Sequence, residues 1–506
     1  MKILDCTFRD GGYYTNWDFN ENIQKIYFES INKLPIDIIE VGYRNIIHEG
    51  YQGEYFYTPI NTLAQIKENT NKEIAILIDQ KSVEKKDLDY LLSSCIQYID
   101  LVRIAVKPEN VFDALDLAKE IKKYDLKVAF NVMYLSEWDK YEEIDLVLPQ
   151  LSGQVDYFYL VDSFGSVFPD FVREKIQYVK SKTDVEVGFH GHNNIELALV
   201  NSLTAMEAGA TLIDSTITGM GRGAGNLKTE LLLSVLNKTQ KIPVDFDALS
   251  EVTSAFSNLK EEYNWGTSLP YMVSGIRSLP QKNVMEWVSK KFYSLNSVVR
   301  ALNEDDSSNT YKTFTPKKEY KKALIIGGGK TAINHSSAIL ELLEAEKDIC
   351  VIHASSKNAN VYSNTSADQY FCLVGNEGLR IKKVFKSLDN FNGQCILPPT
   401  PRVMGTYVPE KISDVTYELE QIEFTKIVKD SHLAIAMQLS IELEVDEVLF
   451  TGFDGYADGK IVQKDQELFE ENIKLFKDFS KKGITYHAIT PTLYNSIPTN
   501  SVYKLL

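Results

Sequence analysis

The sequence predicts an α/β protein made of a (β/α)8 TIM barrel with a helical extension, followed by a smaller Rossmann-like α/β domain. Three observations predict it. Eight strand-like segments, most of them near-continuous apolar runs, follow one another in the first half of the chain, as expected of parallel strands buried on both faces. Stretches with helical apolar spacing separate them, at a period of roughly thirty residues. A second strand, glycine turn and helix then open at Ala323.

Taken in order, the eight segments are Lys2–Thr7, Ile36–Gly42, Glu73–Ile78, Tyr98–Ala105, Lys127–Tyr134, Asp156–Ser163, Val185–His192 and Thr211–Gly219. Ile195, Leu199, Leu203 and Met206 form one of the intervening helical faces. Eight consecutive units within about 240 residues favour a closed barrel over an open doubly wound sheet. Helical segments at Phe246–Asn264 and Lys282–Leu302, broken at Pro270 and Pro280, read as an extension of the barrel. Asn303–Lys322 is polar, carries Pro316 and has little to bury, which marks a linker. Beyond it, strands are expected at Ala323–Gly329, Ile349–Ser355, Tyr370–Val374, Gln394–Leu397, Glu447–Phe453 and Thr485–Thr490. Helices are expected at Ser336–Glu346, Ser431–Leu443 and Glu467–Lys481. The expected division is therefore barrel 1–240, helical extension 241–302, linker 303–322 and Rossmann-like domain 323–506.

Composition narrows the function. A net charge of −16 argues against a nucleic-acid surface, and no Lys/Arg run points to an anionic membrane. No apolar run is long enough to span a bilayer, and the chain opens directly on a strand. Five cysteines, odd in number and without a C-x-x-C pair, fit buried thiols in a reducing compartment. A cytoplasmic enzyme or binding protein is the expectation.

The chemistry centres on Val185–His192, read V-E-V-G-F-H-G-H. Side chains alternate along a strand, so His190 and His192 point the same way and make half a metal site. Alone, such a pair is often only a polar rim. In a barrel, however, active sites lie at the C-terminal ends of the strands. There the chain also places Phe8-Arg9-Asp10-Gly11-Gly12, Asp162-Ser163 and Gly219–Asn226. Asp10 with the two imidazoles leaves open positions on a divalent ion for a substrate. Arg9 either pairs with a carboxylate such as Glu40 or Asp5, or holds a substrate oxygen beside the metal. The Gly219–Asn226 loop lacks G-x-G-x-x-G spacing and reads as a turn bringing Asn226 toward the metal. In the second domain, Gly327–Thr331 is not a P-loop, because the first glycine of that motif would fall at Leu324. It reads as a tight turn into a helix or as a receptor for an anion or nucleotide. His353, His432 and His487 are scattered and form no evident set.

The segments Phe8-Arg9-Asp10-Gly11, Gly188–Asn194 and Gly223-Ala224-Gly225-Asn226 resemble, over roughly residues 1–300, the DRE-TIM metallolyase (HMG-CoA lyase-like) superfamily. Ile39-Glu40-Val41-Gly42 and Tyr159–Ser163 look closest to its 4-hydroxy-2-oxovalerate aldolase branch. The resemblance implies a divalent metal, manganese first and magnesium or cobalt next, held by Asp10, His190 and His192 with Asn226 as a further ligand. It implies an aldolase acting through a metal-bound pyruvate-type enolate on a 4-hydroxy-2-keto acid or its aldehyde partner. Arg9 would stabilise the enolate and Ser163 would contact a substrate oxygen. One departure stands out. Aldolases of this branch carry a histidine three residues after the motif aspartate, where this chain has Tyr13. With an ordinary pKa of about 10, a tyrosine is a poor base at neutral pH. The proton-transfer candidates are Tyr13, Tyr271, which resembles a tyrosine in the aldolases' helical extension but also fits plain helix packing, and a metal-bound water or another group. The implied partners are pyruvate or a similar α-keto acid and an aldehyde, with no nucleic acid or membrane, and a homo-oligomer is compatible. The alternatives are an acyl-CoA-dependent Claisen enzyme like isopropylmalate synthase, or a non-catalytic barrel with a nucleotide- or sugar-binding second domain.

Overall fold

The computed structural model describes residues 1–289, 293–303, 311–402, 404–426, 430–455 and 463–506. The chain divides into two compact units, Met1–Met285 and Glu286–Leu506.

The first unit is built on eight parallel strands: β1 (Lys2–Asp5), β2 (Ile38–Tyr43), β3 (Glu73–Asp79), β4 (Leu101–Val106), β5 (Lys127–Val132), β6 (Tyr157–Asp162), β7 (Glu186–Gly191) and β8 (Leu212–Ser215). Each pairs with the next, and β8 pairs with β1, so the barrel closes as the sequence predicts. Most of the strands are shorter than the segments expected for them. β1 stops at Asp5 because Asp5 Oδ1 accepts the Thr7 N–H at 3.0 Å, and the chain turns at once into the helix Thr7–Thr15. The Phe8-Arg9-Asp10 segment thus stands on a helix whose position is fixed at its far end by Trp17, which donates its indole N–H to the Arg9 carbonyl at 2.9 Å. The expected eighth strand likewise ends early, at Ser215, and hands over to the glycine loop.

The barrel interior is layered. Ile38, Leu101, Tyr157 and Leu212, from the even-numbered strands, form part of an apolar floor with Leu4, Ala75 and Ala129. Two residues further along the same strands come Glu40, Arg103, Tyr159 and Asp214, every one buried. Layers contributed by alternate strands are usual in such barrels and are usually apolar. Here the upper one is polar. Gly188 makes room for it, since a Cβ at that position would lie 2.5 Å from the Tyr159 ring. On the outer face of β7, Val187 and Phe189 pack against the surrounding helices. The helix Phe246–Tyr263, capped by Asp245, brings Phe256 against the rings of Phe8 and Tyr27.

The second unit is one sheet of eight parallel strands: β9 (Lys312–Thr313), β10 (Lys322–Ile326), β11 (Ile349–His353), β12 (Gln369–Cys372), β13 (Gln394–Leu397), β14 (Thr416–Glu418), β15 (Glu447–Thr451) and β16 (Thr485–Ala488). Their order is β16-β15-β10-β11-β12-β13-β14-β9. The direction of winding reverses between β10 and β15, which is the doubly wound pattern expected of a Rossmann-like domain. The two strands the sequence reading did not find, β9 and β14, are two and three residues long. Of the expected linker, 304–310 lie outside the described residues. The remainder is built into this sheet: Phe314 and Tyr320 are buried, and the Tyr320 hydroxyl donates to Asp368 at 2.7 Å. The helix Leu295–Asn303, expected as part of the barrel's extension, belongs to the second unit. No helix among the described residues is long and apolar enough to cross a membrane.

His353 closes β11 inside the second unit. It is fully buried, stacks on Phe371 at 4.5 Å and donates Nε2–H to Gln369 at 2.9 Å. Burial lowers its pKa from the ordinary 6.5 to about 4. The unfolded chain therefore takes up this proton more readily than the folded one. The stability His353 contributes is whole above pH 6.5 and is lost as pH falls toward 4, an effect of about 3 kcal/mol. Urea unfolding of the full chain should show the second unit weakening over that window. In His353→Gln the weakening should be smaller, and an identical pH profile would refute the assignment.

Candidate metal centre

The two histidines at the end of β7 are held in one tautomer each. His190 donates Nδ1–H to Asp214 Oδ2 at 2.9 Å, and His192 donates Nδ1–H to the Asp162 carbonyl at 2.8 Å. A neutral imidazole that donates from Nδ1 presents its lone pair at Nε2. Burial lowers the His192 pKa to about 3, with His190 adding to the effect, so this ring stays neutral. Asp10 comes to meet them from the helix Thr7–Thr15. One ligand atom from each of Asp10, His190 and His192 lies within 4.8 Å of the others, close enough to share an ion. Burial raises the Asp10 carboxyl's pKa, but Arg9 and the two histidines outweigh it and hold it below the ordinary carboxylate range.

Asn226 completes this cluster from the glycine loop. Its Nδ2 donates to Asp10 Oδ2 at 2.6 Å, and its buried Oδ1 has no protein partner. The loop reaches this position through Gly225, whose φ is +80° and where a Cβ would stand 2.0 Å from the Gly219 carbonyl oxygen. Only glycine tolerates that backbone so close to another. The Tyr14 hydroxyl ties the loop down from outside, donating to the Gly223 carbonyl at 2.8 Å.

Beneath the cluster the charges close into a ring. Arg9 pairs with Asp10 and, through Nε at 2.6 Å, with Glu40. Glu40 faces Arg103 at 3.2 Å, and Arg103 reaches Asp214 at 2.5 Å. Asp214 holds His190, whose Nε2 returns to Asp10 at 3.5 Å. Arg103 also donates to Asn131 at 3.1 Å and lies on the Tyr159 ring at 4.2 Å. Burial disfavours the charged form of Asp214, but Arg103 and His190 outweigh it and lower its pKa. Three carboxylates against two guanidiniums leave the ring one net negative charge, out of water. That charge, the imidazole lone pairs and the Asn226 oxygen are groups of the chemistry a divalent cation takes as ligands. Cys6, His190 and Asp214 also lie close together. Their shared imidazole nitrogen is already spent on Asp214, and burial raises the Cys6 thiol's pKa, so they make no second site.

The remaining expected residues surround this cluster at different removes. Of the two roles the sequence allowed, the structure shows the pairing: Arg9 binds Glu40 and Asp10, while its Nη2 spends neither hydrogen on a described residue. Tyr13, one helical turn from Asp10, shares a 3.0 Å hydrogen bond with the Tyr43 hydroxyl. Ser163 Oγ accepts the Tyr134 N–H at 2.9 Å. Tyr271 is buried against Gly223 of the glycine loop, with burial raising its pKa to about 12, and makes no hydrogen bond to the three ligand residues. The sequence reading missed Arg103, Asp214, Tyr159 and Tyr43. A signal was present for the first two: a charged residue in the middle of an apolar barrel strand has only the interior to face.

In the second unit, the turn Gly327–Thr331 does not present a free anion receptor at Thr331. Asp454 accepts both the Thr331 N–H, at 3.1 Å, and its hydroxyl. His353, His432 and His487 stay apart: their partners are Gln369, Glu377 and Glu447.

Comparison with known proteins agrees with the barrel fold. A family model described as HMGL-like matches residues 1–256, which is half of the chain and the whole of the barrel. The chain belongs to the HMGL-like family. Among its curated relatives in that family, 4-hydroxy-2-oxovalerate aldolase of Geobacillus genomosp. 3 is 29% identical over 243 residues, covering 47% of this chain and 71% of that protein. Oxaloacetate decarboxylase of Mycobacterium tuberculosis is 25% identical over 309 residues, covering 59% and 89%. A solved structure, the N-terminal domain of a "putative aldolase" from Bacteroides vulgatus, is 48% identical with a TM-score of 0.57. It is covered in full by 60% of this chain. The HMGL-like barrel is thus an enzyme of the lyase kind.

The ring makes one demand that needs no metal to test. Arg103→Leu leaves Glu40 and Asp214 buried beside an apolar side chain. It should cost about 3–5 kcal/mol in urea unfolding, the usual consequence of orphaning a buried charge. Arg173→Leu, which breaks only the exposed pair with Glu207 at 3.6 Å, should cost under about 1 kcal/mol. Equal costs would mean that the ring holds no structural charge.

Proposed function

We propose that the barrel is a divalent-metal-dependent aldolase. It cleaves a 4-hydroxy-2-keto acid to a pyruvate-type keto acid and an aldehyde, or joins the two. The observation that carries this reading is the convergence of Asp10, His190 and His192, and the unspent edge of Arg9 beside them. The named relatives support the keto-acid half. Both 4-hydroxy-2-oxovalerate and oxaloacetate are 2-oxo acids whose cleavage one carbon beyond the carbonyl leaves the enolate of pyruvate.

Asp10, His190, His192 and Asn226 would hold the ion, manganese first and magnesium or cobalt next. When bound, it supplies positive charge to the carboxylate and carbonyl oxygens of the keto acid. Arg9 does its part through Nη2, which donates to the oxygen where negative charge develops. Because Glu40 and Asp10 already fix the guanidinium, it does not reorganise during reaction. The Tyr13–Tyr43 hydroxyl pair gives a path for the proton that must leave or reach the aldehyde-derived hydroxyl. Ser163 would contact a substrate oxygen, and Tyr271, whose pKa burial raises to about 12, is the second candidate for moving that proton. An oxaloacetate decarboxylase uses the same enolate with carbon dioxide in place of the aldehyde, and the M. tuberculosis relative makes this the second activity to assay.

Enolate formation has a direct readout. With manganese and pyruvate in D2O and no aldehyde, the pyruvate methyl protons should exchange for deuterium, and chelator should stop the exchange. Arg9→Ala should slow it about 10²–10³-fold, the rate equivalent of about 3–4 kcal/mol. Asp10→Asn, His190→Ala and His192→Ala should each lower metal content. In Tyr13→Phe, aldol cleavage should fall further than pyruvate exchange, since only cleavage needs the hydroxyl proton moved. The proposal fails if a metal-loaded protein shows no exchange and cleaves neither 4-hydroxy-2-keto acids nor oxaloacetate.

A further inference from the structure

We propose that Arg222 receives a negatively charged group on the aldehyde half of the substrate, so that the aldehyde is one bearing a carboxylate or a phosphate. This rests on the aldolase reading and narrows it to a substrate class.

Arg222 stands in the glycine loop, four residues before Asn226, and is half-buried. Its guanidinium lies over the Tyr13 ring at 5.4 Å, and it makes no ion pair or side-chain hydrogen bond with a described residue. The other arginines of the barrel unit are differently placed. Arg9 and Arg103 pair with buried carboxylates, and Arg173 pairs with Glu207. Arg44 donates to the carbonyls of Leu91, Tyr57 and Thr58. Arg277 also has a partner. Scarcity of carboxylates does not explain the exception, because the chain has 70 Asp and Glu against 54 Lys and Arg. A half-buried guanidinium held on an aromatic face, with its donor fork unspent, is arranged for an anion that comes and goes.

Position says which anion. Tyr13 follows Asp10 by one helical turn, so the helix Thr7–Thr15 carries the ion's carboxylate and Tyr13 on neighbouring positions. Tyr13 is joined to Tyr43, which sits in the field of Arg9 and Asp10. The keto acid's own carboxylate belongs at the Asp10–His190–His192 cluster. A charge at Arg222 is a second one, beyond the Tyr13–Tyr43 pair, where the aldehyde must lie. Trp17 packs on the Tyr13 ring at 5.0 Å between centroids and holds it in place. Arg222 stays in register because Gly223 is pinned by Tyr14 from one side and its N–H points at Met285 Sδ from the other.

The experiment is aldol addition to pyruvate with three aldehydes of similar length: propionaldehyde, succinic semialdehyde and glyceraldehyde 3-phosphate. In the wild type, kcat/KM for at least one charged aldehyde should exceed that for propionaldehyde. Arg222→Gln should lower the favoured charged aldehyde by about 10- to 100-fold, mainly in KM, with a much smaller effect on propionaldehyde. Arg222→Lys should recover part of the loss, which a merely structural role would not predict. Which charged aldehyde is favoured decides between carboxylate and phosphate. Three results overturn the proposal: equal use of neutral and charged aldehydes by the wild type, an equal loss for all three in Arg222→Gln, or a raised KM for pyruvate in deuterium exchange, which would put the keto acid at Arg222. If the wild type shows neither exchange nor addition with any aldehyde, the aldolase reading falls and this inference falls with it.

Discussion

The structure of the barrel depends on one constraint: a net negative charge fixed away from water. Burying five ionic side chains without compensation would be prohibitive, and the ring of alternating signs from Asp10 through Arg9, Glu40, Arg103 and Asp214 to His190 removes most of that cost. It does not remove all of it, because the carboxylates outnumber the guanidiniums by one. The same hydrogen bonds that satisfy the ring also orient His190 and leave an oxygen of Asn226 unanswered. The side chains that balance the buried charge are thus the same ones that would meet a cation.

The fold supplies the ring cheaply because a barrel repeats. The even-numbered strands deliver an apolar floor and then, two residues on, Glu40, Arg103, Tyr159 and Asp214 at one height. Gly188 on β7 yields the space that Tyr159 needs to lie under Arg103. Above this layer, the helix Thr7–Thr15 and the glycine loop bring Asp10 and Asn226 in from outside the barrel wall. The rigid layer thus positions groups that the sheet alone does not carry, which is the division of labour expected between scaffold and connecting segments.

Much of this was legible in the sequence. Eight apolar runs at a regular period gave the barrel, and the motifs around Asp10, His190, His192 and Asn226 singled out residues that the structure brings together. What the pattern did not disclose has physical reasons. Arg103 and Asp214 sit in runs dominated by apolar neighbours, and their pairing with each other depends on barrel closure, which no local window contains. The first strand was expected to run to Thr7, because Cys6 and Thr7 suit a strand; the side chain of Asp5 ends it two residues earlier. β9 and β14 are too short to show alternation. The segment around Phe314 and Tyr320 looked like a linker because single aromatics in a polar run give no period, although each finds a buried place. At Gly327–Thr331 the motif was ambiguous between turn and receptor, and Asp454, more than a hundred residues away, decided against an open receptor at Thr331.

The two histidine tethers have a consequence for how the barrel comes into being. One reaches back to the backbone of β6, the other forward to a side chain of β8, while Asp10 arrives from the chain's first helix. A nascent barrel lacking its last strand has both imidazoles but only one of them aimed, and its β1 edge is still unpaired. A cation held by this cluster would bind the closed barrel in preference to a form lacking β8, and would favour closure by mass action, as a latch on the barrel's final seam.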